Sequence, residues 1–118
     1  MTRTVLIVDD HPSFRASARA VLEAAGDEIV GEASDGATAI AATRELRPDV
    51  VLLDIQLPDM DGFEVCNALD AKDGPTPDLI LVSSRDLDDY GDLVDTSCAC
   101  GFLPKDELSG DAVTALLP

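Results

Sequence analysis

The chain has 118 residues, 46% of them hydrophobic but only 3% aromatic with no Trp. That is one domain by length, with a core available from Val, Leu, Ile and Ala, and it argues against disorder. The formal net charge is −16, from 24 acidic and 8 basic residues; so acidic a surface argues against direct nucleic-acid binding and favours divalent cations and basic partner surfaces.

Residues 4–8 (TVLIV) form an unbroken apolar run without alternation, which predicts a strand buried on both faces. Two carboxylates, Asp9 and Asp10, close it, and Pro12 suits the first turn of a helix in which Phe14, Ala18, Val21, Leu22 and Ala25 follow at helical spacing and which ends at Gly26. Residues 28–33 (EIVGEA) predict a second strand, and Ser34-Asp35-Gly36 a turn that caps a helix over 36–46, with Ala37, Ile40, Ala41 and Leu46 inward. Arg47-Pro48-Asp49 stops that helix, because Pro disfavours helical backbone at the residue before it. The third strand, 50–53, ends at Asp54, and a loop over 55–61 leads to a helix from Gly62 to Asp70 with Phe63, Val65, Cys66 and Leu69 apolar. A loop over 72–78 precedes a fourth strand, 79–82, which ends at Ser83. Residues 86–98 predict a poor helix, weakened by Gly91 and by Asp86, Asp88, Asp89, Asp92 and Asp95. A short strand, 101–103, then leads to Lys105 and to a last helix capped by Ser109. Strands alternating with helices predict an α/β, doubly wound parallel sheet with helices on both faces.

In such a sheet the carboxyl ends of the strands line one edge, and ligands bind there. Asp9, Asp10, Asp54, Ser83 and Lys105 all fall at that edge. Two carboxylates 4 Å apart repel by ~4 kcal/mol at an effective dielectric near 20, so three converging ones call for a cation, and oxygen donors suit Mg²⁺. A hydroxyl and an ammonium beside them suit a phosphoryl group. Asp59, Asp61 and Gly62 do not make a calcium loop, because its first and last positions would be Leu57 and Ala68. His11 reads as a loop residue. Cys66, Cys98 and Cys100 lack the spacing of a disulfide framework or a zinc site, and read as small reduced residues. No stretch approaches the length of a membrane span, and the N-terminus does not read as a signal peptide.

VLIVDDHPSFR (5–15), DVVLLDIQLPDMDGFEV (49–65), LILVSSRD (79–86) and GFLPKDEL (101–108) resemble, in order and spacing, the successive motifs of the receiver domain of two-component response regulators. The resemblance covers essentially the whole chain as a single receiver, 1–118. It implies a flavodoxin-like (βα)5 fold with strand order 2-1-3-4-5. It implies that Asp54 accepts a phosphoryl group from a sensor histidine kinase, with Asp9, Asp10, Asp54 and the main-chain carbonyl of Gln56 holding Mg²⁺. Lys105 and Ser83 would bind the phosphate, Phe102 would be the switch aromatic, and Gln56 and Arg85 would tune dephosphorylation. The chain would be a cytoplasmic signalling phosphoacceptor rather than an enzyme, acting on an output domain or a downstream protein. A homodimer through the predicted helix at 86–98, the last strand and the last helix is a further implied contact. The family often has Pro directly after the Lys, whereas here Pro104 precedes Lys105 and Asp106 follows it.

Two other readings compete. A pseudo-receiver would bind partners without phosphorylation, but the site residues are intact. A small Mg²⁺-dependent aspartyl-phosphate phosphatase would carry a D-x-D motif and a cap domain, where this chain has Asp9-Asp10 and 118 residues.

Overall fold

A computed structural model describes residues 2–70, 77–84 and 101–117. The strands are β1 (Thr4–Val8), β2 (Glu28–Ala33), β3 (Val50–Asp54), β4 (Asp78–Ser83) and β5 (Gly101–Pro104). The helices are α1 (Pro12–Ala24), α2 (Gly36–Leu46), α3 (Gly62–Asp70) and α4 (Gly110–Leu116), with a 3-10 turn over Lys105–Glu107. All neighbouring strands are parallel, in the order β2-β1-β3-β4-β5. The fold is the doubly wound α/β sheet that the strand–helix alternation implies. The predicted helix over 86–98, with Gly91, lies outside the described residues, as do Arg85, Cys98 and Cys100.

Each apolar run splits its residues between the two faces of the sheet, because successive side chains on a strand point opposite ways. Leu6, Val8, Val51, Leu53, Leu79 and Leu81 pack on one side with Ala39 of α2 and Val65, Cys66 and Leu69 of α3. Val5, Ile7, Val50, Leu52, Ile80, Val82 and Leu103 pack on the other with Ala18 and Leu22 of α1 and Val113 of α4. Burial on both faces is why the central runs show no alternation.

The caps fall where the sequence places them. Asp35 Oδ1 accepts the Thr38 N–H at 2.7 Å, and Ser109 Oγ accepts the Ala112 N–H at 3.0 Å. Gly26 takes φ +98° beyond the end of α1, and Arg47 takes the left-handed φ of 47° that ends α2 before Pro48.

The helix faces are partly corrected. In α2 the buried residues are Gly36, Ala39 and Thr43, while Ala37 and Ala41 are exposed and Leu46 is 41% exposed. An Ala-rich helix carries too little apolar contrast to choose a face, and Thr43 can be buried because its hydroxyl donates to the Ala39 carbonyl at 2.7 Å. In α1, Val21 and Ala25 likewise face out. Cys66 is fully buried and disulfide-bonded, against the expectation that it stays reduced. Among the described residues no helix is long and apolar enough to cross a membrane.

Candidate functional site

β1, β3, β4 and β5 deliver the site residues to one sheet edge. Val8 pairs with Leu53, Asp54 with Val82, and Ser83 with Pro104, so the residues that follow or end these strands gather in register. Asp9, Asp54 and Ser83 are the buried polar groups of this edge, whereas Asp10 and Gln56 are exposed. Lys105, beginning the 3-10 turn, extends back over the sheet. Its Nζ lies 2.6 Å from Asp9 Oδ2 and 3.5 Å from Asp54 Oδ2, and 4.7 Å above the centre of the Phe14 ring. Phe14 reaches it from the first turn of α1, so the ammonium has an aromatic face beneath it.

The carboxylates are held by short local bonds. Asp9 Oδ1 accepts the His11 main-chain N–H at 2.8 Å and faces His11 Nδ1 at 3.0 Å. Asp9 Oδ2 is buried and accepts no hydrogen bond; Lys105 meets it as an ion pair without hydrogen-bond geometry. Arg15 Nη1 donates to the Asp9 carbonyl at 2.6 Å, and Arg15 Nε to Glu32 at 3.1 Å, which ties the end of β1 to α1 and β2. Asp54 Oδ1 accepts the Gln56 N–H at 3.3 Å.

Burial, and then the Asp9 charge, push the Asp54 carboxyl from 3.8 up to about 6; Lys105 and the Gln56 N–H pull it down but do not prevail. Among the described residues, three carboxylates, Asp9, Asp10 and Asp54, gather here with one ammonium, that of Lys105, which meets Asp9 and Asp54; the excess of negative charge suits a divalent cation. Their oxygens and His11 Nδ1 lie within 4.8 Å of one another. Opposed ligands of one Mg²⁺ stand ~4.2 Å apart, so a small contraction would bring the carboxylates onto a shared ion.

The loop between β3 and α3 is fixed from outside the site. Gln56 and Asp61 form an isolated antiparallel bridge, and Gly62 N donates to the Ile55 carbonyl at 2.6 Å. Asp59 receives the Gly36 N–H at 2.7 Å and the Ala37 N–H at 3.0 Å, so it caps the start of α2, and these bonds hold its carboxyl below the usual range. Phe102 is half-buried on the α2/α3 side, paired across the sheet with Leu81. No cis peptide bond occurs among the described residues, Pro104 included.

Asp9, Asp10, Asp54 and Lys105 are thus brought together as the sequence anticipates, with Ser83 at the same edge. Reading the sequence missed His11 against the acids, Phe14 under the lysine and Asp59 on α2. The adjacency of His11 to Asp9-Asp10 and the Pro that follows it were the available signal for the first; nothing local marks the other two.

A family model for the response regulator receiver domain matches residues 5–116. The chain is 43% identical over 104 residues to the nitrate/nitrite response regulator protein NarP of Escherichia coli (strain K12), covering 86% of this chain and 47% of that protein. It is 40% identical over 85 residues to the protein-glutamate methylesterase/protein-glutamine glutaminase 3 of Hahella chejuensis, covering 72% of this chain and 24% of that one. The chain therefore spans half or less of the length of these curated relatives. The solved signal receiver domain of the response regulator NarL from Mycobacterium tuberculosis superimposes with a TM-score of 0.88 at 34% identity, over 97% of this chain and 94% of that one.

Proposed function

The chain belongs to the response regulator receiver domain family, and from that premise we propose that it is a phosphoacceptor switched by phosphorylation of Asp54. The observation that carries this is the placement of Asp54 beside Asp9 and Lys105 at one sheet edge, with Lys105 Nζ 3.5 Å from its carboxylate. An Asp54 oxygen attacks the phosphorus of a phosphohistidine on a sensor histidine kinase, or of an acyl phosphate. The new P–O bond forms as the bond to the leaving atom breaks; the leaving imidazole takes up a proton, or the carboxylate departs as the anion. Lys105 and the Ser83 hydroxyl then bind the oxygens of the attached phosphoryl group.

Mg²⁺ fits the donor set: the carboxylates of Asp9, Asp10 and Asp54 and the main-chain carbonyl of Gln56 are hard oxygen donors, and buried Asp9 Oδ2 accepts no hydrogen bond. When bound, the ion supplies positive charge against the transferring phosphoryl oxygens. Asp9 and Asp10 would hold it, and Lys105 would add its own positive charge beside Asp54.

Phosphorylation adds a charge of about −1.5 to −2 at one point, enough to draw Ser83 and Lys105 toward it and bias Phe102 between two positions. β5 and α4 would belong to the responding surface, where a homodimer would also form; the segment over 86–98 that the family resemblance adds to it lies outside the described residues. Gln56 and Arg85 set how long the phosphoryl group survives. Residues 1–118 act as a single cytoplasmic receiver, with the acceptor chemistry in the chain and the output in an attached domain or a downstream protein. The high acidity argues that the chain itself does not touch DNA.

The test is intact mass after incubation with acetyl phosphate, with and without Mg²⁺, on wild type and Asp54→Asn. A Mg²⁺-dependent gain of one phosphoryl group, absent from the variant, is the expected result. No gain, together with failure to bind beryllofluoride, would reject the phosphoacceptor in favour of a constitutive binding module.

A further inference from the structure

His11 is the only histidine in the chain, and its ring does not simply face solvent. Nδ1 stands 3.0 Å from Asp9 Oδ1 and 3.0 Å from Asp10 Oδ1, although the side chain as a whole is 64% exposed. The nitrogen nearest the backbone is turned toward the two acids. Two local features fix it there. The His11 main-chain N–H is anchored on Asp9 Oδ1, and the residue is extended (φ −99°, ψ 111°) immediately before Pro12 opens α1. One nitrogen therefore faces two carboxylates from a short, stiff stretch of backbone. Its distance to each matches that between neighbouring ligands of one small ion, ~2.9 Å when both bonds are ~2.0–2.1 Å. The other oxygen of the fully buried Asp9, Oδ2, accepts no hydrogen bond and meets only the Lys105 ammonium, at 2.6 Å.

We propose that His11 Nδ1 is a ligand of the cation site, making it a mixed nitrogen–oxygen centre that holds a late first-row transition ion more tightly than Mg²⁺. This rests on the receiver reading for the carboxylates and adds the imidazole to it. Carboxylate and carbonyl oxygens alone suit Mg²⁺ and discriminate weakly. An imidazole adds little for Mg²⁺ but much for Co²⁺, Ni²⁺ and Zn²⁺, which take nitrogen readily and rise in affinity along the first row. The bond from the His11 main-chain N–H to Asp9 Oδ1 holds the residue beside the acids, so the ring needs little reordering to reach an ion. The site becomes one whose occupant depends on which divalent ion is available.

The test uses tag-free 118-residue protein, so that His11 is the sole imidazole. Mn²⁺-loaded protein, with and without selective ¹⁵N-histidine labelling, is examined by pulsed EPR for a directly bound nitrogen. Calorimetric titrations with Mg²⁺ and Zn²⁺ follow on wild type and His11→Ala, with circular dichroism to verify the fold. We expect a nitrogen coupling that changes on histidine labelling. We also expect a loss of about tenfold or more in Zn²⁺ affinity, against less than about threefold for Mg²⁺, in the variant. Metal binding and Mg²⁺-dependent phosphorylation without nitrogen coupling, or equal losses for both ions, would overturn the ligand role of His11 and leave the receiver reading intact. Failure of wild type to bind any divalent ion would overturn both. The coupling is read on wild type, so a poorly folded variant would not obscure the outcome.

Discussion

Asp54 shows how one side chain can be useful to a site and costly to the fold. Its carboxyl is pushed up to about 6 from 3.8 by burial and by Asp9. In the metal-free protein the folded state thus holds this proton more tightly than the unfolded chain does. Stability contributed at Asp54 is greatest below pH 4, falls as the pH rises to about 6, and remains low above that. Asp54→Asn should be more stable than wild type at pH 7 by about 1–2 kcal/mol, after allowance for solvent screening at the open side of the site. Thermal melts in a chelator from pH 4 to 8 check this: the difference should close toward pH 4, and a less stable variant at pH 7 would contradict a repulsive cluster. The acids were legible in the sequence because each ends a strand, and parallel strands align their ends. His11 was not, because whether an exposed ring turns back onto its neighbours is decided by a rotamer, which adjacency alone does not fix.

At the scale of elements, the joint between β3 and α3 carries the tightest demand. A Cβ at Gly62 would stand 2.8 Å from the Asp54 carbonyl oxygen and 3.0 Å from Ile55 Cα, both backbone atoms that cannot yield cheaply. Gly62→Ala should therefore cost about 1–3 kcal/mol in urea unfolding, and should slow acetyl phosphate labelling because Asp54 moves with that backbone. An unaltered labelling rate would show that the joint relaxes elsewhere. Element boundaries were well marked in the sequence: Pro12, Gly26, Asp35, Pro48 and Ser109 lie where helices begin or end. The facing of α1 and α2 was not, because Ala on either side of a helix gives the same pattern. Asp59 was illegible for a different reason. Its partners, Gly36 and Ala37, are 23 and 22 residues away, and only tertiary structure brings the loop to the helix.

For the molecule as a whole, hydrophobic order and charge point in opposite directions. The unbroken apolar runs identified the three central strands, β1, β3 and β4, and their burial on both faces, since each supplies residues to two separate cores. The net charge of −16 works against compaction, because like charges at the surface repel in the folded state more than in the expanded chain. Screening should relieve this, the Debye length falling from about 30 Å at 0.01 M to about 3 Å at 1 M salt. The melting temperature should accordingly rise with NaCl over that range in the presence of chelator. A flat or falling curve would mean that ion pairs such as Arg3–Asp27, at 2.9 Å, and Arg15–Glu32, at 3.1 Å, outweigh the general repulsion.

Lys105 stands closer to Asp9 than to Asp54, 2.6 Å against 3.5 Å. It therefore neutralises the very oxygen that a divalent ion would use. The ammonium is a resident rival of that ion, and the two share a limited supply of negative charge. Lys105→Ala should raise Mg²⁺ affinity by about three- to tenfold in a calorimetric titration while slowing phosphoryl transfer. Weaker Mg²⁺ binding in the variant would refute the rivalry. If it holds, and Asp54 is the phosphoacceptor proposed above, this one side chain would set the magnesium threshold above which the domain can receive a signal, before any kinase arrives.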